Sequence, residues 1–163
     1  MHITKPHLIL AALAISVFLT GCENDEQYQS HPPIFSDITF NSDPLYAGDT
    51  IVATAIQSQG ATLVDRTTYE WTLTQNGNPV DTKHEYVKEV VYPNSPSNPT
   101  DKFTVEQPGT YNLTLEACYN ISGQSDGATY SNFSQDGSFS YSCTASLFRY
   151  VITLNKRITV VKK

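Results

Sequence analysis

Histidine and cysteine, the side chains that most often act as nucleophiles, proton carriers or metal ligands, are scarce in this sequence. The 163 residues include four His and three Cys, and His31 and His84 are the two His beyond the first seven positions. Hydrolytic triads and thiol nucleophiles need a positioned His, and a zinc site needs three or four His or Cys ligands. The sequence also contains no Gly-x-Ser-x-Gly, His-Glu-x-x-His or phosphate-loop motif. We therefore expect a protein without catalytic residues, metal or cofactor.

Carboxylates are more numerous, and their arrangement favours turns over metal binding. Sixteen Asp and Glu outnumber ten Lys and Arg, giving a net charge of −6. Without a basic cluster, such a chain is a poor nucleic-acid binder. Asp43, Asp49, Asp126 and Asp136 lie in or beside turn segments, but a calcium site needs several oxygens converging at about 2.4 Å. Their spacing is irregular, and Asp is an ordinary turn residue, so the turn interpretation is favoured.

Cys22, the first of the three cysteines, lies at the end of a segment with the features of an N-terminal targeting signal. Lys5 precedes a twelve-residue apolar segment, 8–19, which is too short to span a bilayer and has the length of a signal-peptide core. The following Leu19-Thr20-Gly21-Cys22 resembles a bacterial lipobox. This resemblance implies that residues 1–21 are a signal peptide, that cleavage precedes Cys22, and that acyl chains such as palmitate on Cys22 anchor the protein in a membrane.

Residues 22–33 are predicted to form a tether between this anchor and the folded part. Acidic residues directly after the cysteine, in 23–27, resemble the export signal of Bacteroidota surface lipoproteins. That resemblance implies an outer-membrane protein exposed at the cell surface. A plain solvated acidic linker explains the same residues, and both interpretations stay open. The Pro32-Pro33 pair is expected to stiffen the end of the tether.

From residue 34 onward the apolar side chains alternate with polar ones, which predicts strands with one wet face. The inward set is predicted to contain Ile51, Ala53, Ala55, Tyr69, Trp71, Leu73, Phe103, Val105, Tyr111, Leu113, Leu115 and Ala117. Turn residues separate these segments at 47–49, 76–79 and 107–109, and residues 94–99 are expected to be a loop. No segment has helical spacing with caps. The sequence predicts an all-β, immunoglobulin-like β-sandwich over residues 34–163.

Four patches, 47–53, 69–73, 107–115 and 156–161, resemble the PKD (polycystic-kidney-disease) domain. They are similar to its second strand, its Trp-bearing strand, its Pro-Gly-Thr-Tyr turn and its closing strand. The resemblance implies a sandwich used for extracellular binding or spacing, usually without catalysis. Residues 72–77 lack the acidic Gly-Asp-Gly stretch common in that family, so nothing that stretch does elsewhere is carried over.

Residues 120–155 have no counterpart in that family and are predicted to be a β-rich insert before the last strand. Its extra strands, one of them at 148–154, are expected to extend or cover one sheet. The insert region contains the candidate ligand-contact aromatics Tyr119, Tyr130, Phe133, Phe139 and Tyr141. These rings could form a stacking platform for sugars, with nearby Asn, Gln and Asp side chains binding hydroxyl groups. They could equally be the small core of the insert itself, and this second interpretation is favoured.

With Cys22 acylated, Cys118 and Cys143 remain as an even pair in an oxidising compartment, which predicts a disulfide. The phase of the strand places Cys118 outward beside Glu116, so the bridge would attach the insert to the outer face of a sheet. Two free thiols are the alternative.

The sequence also contains a candidate site for O-glycosylation. Asp49-Thr50-Ile51 resembles the short O-glycosylation motif of exported Bacteroidota proteins, with Thr50 as acceptor. The favoured function is a non-catalytic, lipid-anchored protein that binds a glycan or an envelope protein. The alternative is a structural spacer or assembly subunit without a small-molecule ligand.

Overall fold

The computed structural model describes residues 28–80 and 98–163, and within these ranges the regular structure is almost entirely β. Its twelve strands are Gln29–Ser30 (β1), Ile34–Phe40 (β2), Leu45–Tyr46 (β3), Thr50–Gln59 (β4), Val64–Gln75 (β5), Asn78–Pro79 (β6), Thr100–Thr104 (β7), Gly109–Ile121 (β8), Gln124–Ser125 (β9), Thr129–Phe133 (β10), Phe139–Ser146 (β11) and Arg149–Val161 (β12). The all-β prediction is confirmed for this part of the chain.

The strands form two open sheets and one short ribbon. The large sheet has the order β10-β11-β12-β8-β5-β6, and β3 pairs in parallel with the end of β12. The small sheet has the order β2-β4-β7, and β1 pairs in parallel with β9. Inward side chains of both sheets belong to one hydrophobic core, so the architecture is sandwich-like.

This core follows from the alternation in the sequence. Buried and outward positions alternate along β4, β5 and β8, as expected for strands with one wet face. All twelve residues predicted to face inward are buried. At roughly 25 cal/mol per Å² of apolar surface removed from water, these side chains supply the main driving force for folding.

The turn between β5 and β6 is also explained by its residues. Asn76 and Gly77 have φ values of 52° and 78°. Positive φ at both central residues is the requirement of a type I′ hairpin turn, and Asn-Gly is the pair best suited to it.

The segment 120–155 extends the large sheet, which is one of the two arrangements predicted for it, and does not cover a sheet face as a separate layer. Residues 129–146 form the hairpin β10–β11, which extends the large sheet beside β12. Residues 148–154 and 156–161, expected to be separate strands, belong almost entirely to the single strand β12. A continuous β12 can pair with β8 along twelve residues on one side and with β11 and β3 on the other.

The second half of the predicted tether is docked on the fold. Ser30, Pro32 and Pro33 are buried, and the backbones of His31 and Thr62 bond to each other. The Tyr150 hydroxyl donates to the Ser30 carbonyl at 2.6 Å, and the Tyr141 hydroxyl donates to the Pro33 carbonyl at 2.7 Å. The folded part therefore includes residues 29–33, which the sequence analysis assigned to the tether.

Within residues 28–80 and 98–163 there is no helix of the length and hydropathy needed to cross a membrane.

Candidate binding surface

Of the candidate residues, Thr50 lies on the surface of the described structure. Cys22 and His84 lie outside the described residues. Thr50 is exposed at the start of β4, where its carbonyl accepts a hydrogen bond from the Asn41 side chain at 3.1 Å. Its hydroxyl is on the surface, as an O-glycosylation site requires.

The proposed aromatic platform is wrong for three of its five members. Tyr119, Phe139 and Tyr141 are each 2–3% exposed and belong to the main core. Tyr119 meets Tyr69 edge-on with their hydroxyl oxygens 3.1 Å apart, and burial raises the pKa of Tyr119 far above its ordinary value. Burial likewise raises the pKa of Tyr141. These positions lie at inward-facing sites of their strands. They are core residues, but they belong to the main core and not to a separate small core of the insert.

The other two aromatics lie on β10 but on opposite sides of it. Tyr130 pairs with inward-facing Cys143, whereas Phe133 pairs with outward-facing Ser140. The Tyr130 hydroxyl donates to the Asp126 carboxylate, which raises the pKa of Tyr130 to about 12 and lowers that of Asp126. Phe133 is 68% exposed and is the one member of the set that presents a free ring to solvent.

The predicted disulfide between Cys118 and Cys143 is wrong in this structure, where both thiols are free. Cys118 faces outward as predicted, but Cys143 is fully buried on the inward face of the same sheet. Cys118 pairs with Val151, which pairs in turn with Thr144, so β12 separates the two cysteines. Two strand spacings are about 10 Å, beyond the Cα separation of about 7 Å that a disulfide can bridge. Burial raises the pKa of the Cys143 thiol.

The aspartates in the insert region organise turns. Asp126 accepts from the backbone N–H of Ala128 at 3.0 Å. Asp136 accepts from the Ser134 hydroxyl at 2.6 Å and the Ser138 N–H at 2.9 Å, and these bonds lower its pKa. Among the described residues no three His, Cys, Asp or Glu side chains are grouped as metal ligands would be.

The surface with the best geometry for binding is the outward side of the large sheet, here called the outer face. Most of its members are small hydroxyl or amide residues at alternating positions of five strands, and Val151 and Phe133 are the apolar ones. They are Thr68, Thr72, Asn112, Thr114, Val151, Thr153, Asn155, Ser140, Ser142, Thr144, Thr129, Ser131 and Phe133. The face is continuous because the registers of β10, β11, β12, β8 and β5 bring these positions side by side.

A hydrogen-bond network fixes the centre of the outer face. The Thr114 hydroxyl donates to Asn155 Oδ1 at 2.8 Å, and Asn112 Nδ2 lies 3.3 Å from the same oxygen. Asn155 Nδ2 in turn donates to the Ser140 hydroxyl at 3.4 Å. The network joins β8, β12 and β11 and holds its polar groups in set orientations, which is the preorganisation that polar recognition needs.

A shallow groove of about 280 Å³ crosses the same face near one end. Its outward side chains are Thr68, Glu70, Glu116, Cys118 and Val151. Glu70 and Glu116 are direct cross-strand partners, and both are exposed. Like charges placed opposite each other destabilise a strand pair, so stability alone does not explain this pair. Their carboxylates provide acceptors beside the donors and acceptors of the network.

The sequence contains a signal for this surface, namely the polar residues at outward strand positions, which the search for exposed aromatic rings does not detect. The outward positions of β5, β8 and β12 are rich in Thr and Asn, and those of β11 in Ser and Thr. The phase was visible in the alternation, but the lateral order of the strands was needed to place those residues together.

Searches of family models, curated proteins and solved structures found no match to this chain. The fold and the outer face define an all-β, sandwich-like protein with a broad polar surface.

Proposed function

We propose that this protein is a non-catalytic outer-membrane lipoprotein that binds a glycan through the outer face of its large sheet. The observation that carries the binding function is the fixed network of Thr114, Asn112, Asn155 and Ser140. Sugars present many hydroxyl groups, each a donor and an acceptor, and a rigid array of hydroxyls and amides matches them. Phe133, at the edge of this array, offers a ring for stacking on the apolar face of a sugar.

Support for the anchor comes from the sequence of the first 22 residues. The short apolar segment and the lipobox-like Leu19-Thr20-Gly21-Cys22 favour cleavage before Cys22 and acylation of that residue. Several acyl chains on one residue would hold the protein firmly, since each buried CH₂ contributes about 0.8 kcal/mol. The acidic stretch 23–27 favours export to the cell surface. An oxidising compartment permits a disulfide between Cys118 and Cys143 but does not require one.

Support for a PKD-like or immunoglobulin-like identity comes from two features. Trp71 is buried at the centre of β5, as in the Trp-bearing strand of that family. The Tyr111 hydroxyl donates to the Gln107 carbonyl at 2.6 Å, four residues upstream. A tyrosine that bonds back to the preceding corner in this way is a hallmark of immunoglobulin-like sandwiches.

A glycan array probed with the soluble domain tests the binding function. Ser142 lies near the middle of the outer face, paired with Ser131 and Thr153, so Ser142→Arg should abolish binding by covering the face. The matched control is Thr39→Arg, an exposed position on the small sheet, which should bind as the parent does. If both variants retain binding, the outer face is not the site. If the parent binds no glycan, the protein-binding or spacer function takes precedence.

The anchor is tested separately by mass spectrometry of the N-terminal peptide and by protease access on intact cells. We expect an acylated Cys22 at the mature N-terminus and cleavage of the domain by external protease. An unacylated N-terminus upstream of Cys22 would refute the lipoprotein assignment. Protection from protease in intact cells would place the domain on the periplasmic side.

A further inference from the structure

The two-residue turn between β11 and β12 carries apolar side chains where turns ordinarily carry polar ones. Ser146 pairs with Arg149, so Leu147 and Phe148 form the apex of the hairpin. Gly, Asn, Asp and Pro are favoured at such positions, and nothing in turn geometry calls for Leu-Phe. Leu147 is 60% exposed and Phe148 is 54% exposed. The apex therefore presents two large apolar side chains to solvent without a conformational reason.

The backbone of this turn is held in place while its side chains are free. The Phe148 carbonyl accepts from the Ile121 N–H at 3.0 Å, and the Leu147 carbonyl accepts from the Ser125 N–H at 3.2 Å. The Ser146 hydroxyl adds a bond to the Arg149 carbonyl at 3.3 Å. Because the backbone of this turn is already fixed on neighbouring strands, the turn loses little conformational entropy when its side chains bind a partner or enter an apolar environment.

The same end of the molecule is where the chain departs toward Cys22. β1 pairs with β9, and β9 bonds to the turn through Ser125, so Tyr28 lies at this end. Tyr28 is 56% exposed and follows Cys22 by six residues. Six residues span at most about 20 Å, so acyl chains on Cys22 would hold this end within that distance of the bilayer.

The composition of this end suits a membrane interface. Aromatic rings and aliphatic side chains favour the headgroup boundary, and arginine binds lipid phosphates while its stem packs on apolar surface. Arg149 follows Phe148, and Arg66 lies across Asn120 from Arg149 on the same face; both are exposed. Two carboxylates also lie next to residues named at this end: Asp65 precedes Arg66, and Asp126 follows Ser125 of β9.

We propose that the Leu147–Phe148 turn, together with Tyr28 at the same end of the domain, inserts into the bilayer that holds the acyl chains of Cys22. The inference rests on the proposed acylation of Cys22. Insertion sets the orientation of the domain, because the long strand β12 begins at the turn and runs away from it for 13 residues. The opposite end, with Thr50 and the turn at 76–77, then points away from the membrane.

Quenching of tryptophan fluorescence by brominated lipid tests this contact in the acylated full-length mature protein. The protein is reconstituted in vesicles of phosphatidylethanolamine and phosphatidylglycerol with bromine on the acyl chains. Phe148→Trp places a reporter at the apex, and Leu147→Trp is the second apex variant should the first not fold. The chain's single native tryptophan, Trp71, is buried and supplies a constant background.

Phe133→Trp is the matched control, because Phe133 is also an exposed phenylalanine on the large sheet. Its partner Ser140 lies seven residues along the hairpin from Leu147, which is about 23 Å at the rise of a strand. We expect the apex reporter to lose most of its added fluorescence and to shift to shorter wavelength, while the reporter at 133 stays unquenched.

Three other outcomes overturn the inference in distinguishable ways. An unquenched apex in vesicle-bound, acylated protein means that the turn contacts something other than lipid, and the lipoprotein assignment survives. Quenching at both positions means that the domain lies flat on the bilayer. Protein that carries no acyl chain refutes the proposed anchor, and the inference falls with it.

Discussion

Removing the Tyr150 hydroxyl with Tyr150→Phe should weaken the attachment of the N-terminal segment to the fold. Tyr150 is fully buried, and its hydroxyl donates to the Ser30 carbonyl at 2.6 Å. Phenylalanine fills the same space, so no large cavity forms and the main cost is a buried carbonyl that loses a donor. That cost is about 1–3 kcal/mol, and about 1.5 kcal/mol corresponds to a fall in Tm of roughly 3–6 °C for a domain of this size.

Equilibrium urea unfolding and amide hydrogen exchange check this prediction together. The midpoint should fall with an unchanged slope, and the Thr62 amide, which donates to the His31 carbonyl at 3.2 Å, should lose protection. Tyr130→Phe is the control, because the Tyr130 hydroxyl bonds to Asp126 at the exposed surface, where its loss should matter much less. An unchanged midpoint and unchanged protection in Tyr150→Phe would show that this hydrogen bond does not hold residues 29–33 in place.

Three further predictions concern the thiols, a close approach and a turn. A maleimide should label half-exposed Cys118 but not buried Cys143 in the native protein, and reductant should leave Tm unchanged; labelling of neither thiol before reduction would indicate a disulfide after all. Gly123→Ala should lower stability by about 1–3 kcal/mol in a thermal melt, because a Cβ there would collide with the Tyr28 carbonyl; a wild-type melt would contradict the packing of β1 on β9. Asp136 has a lowered pKa, so its ionised form stabilises the turn at pH values above 3.8, the ordinary pKa of the group, and this stabilisation disappears as the pH falls below 3.8 toward the lowered pKa. Asp136→Asn should therefore flatten the acid limb of the plot of denaturant midpoint against pH, and an unchanged limb would contradict this role.

Local pattern was enough to predict twelve residues of the core. The alternation in β5 and β8 assigns Trp71 and Leu115 to the inward face whatever their neighbours are. The turn at Asn76-Gly77 is equally local, because both residues accept positive φ. These features depend on two to ten consecutive residues, so a single sequence contains all the information needed.

Features that depend on which strands are neighbours could not be predicted in the same way. The inward phase of Cys143 and the intervening β12 rule out its pairing with Cys118, and neither follows from the count of cysteines. The docking of residues 29–33 depends on hydroxyls from Tyr141 and Tyr150, more than 100 residues away. The outer face required the order of five strands before its scattered Thr, Ser and Asn could be recognised as one surface.

The parallel pairing of β1 with β9 also determines how the domain would respond to mechanical pulling. A force that pulls along β1 acts parallel to its partner β9. The hydrogen bonds between the two strands run across the direction of that force, so those of Gln29 and Ser30 are loaded in shear and at the same time. The hydroxyl groups of Tyr141 and Tyr150 resist the same displacement at two further points on the segment. A pull along β1 would therefore load these hydrogen bonds together and not one after another.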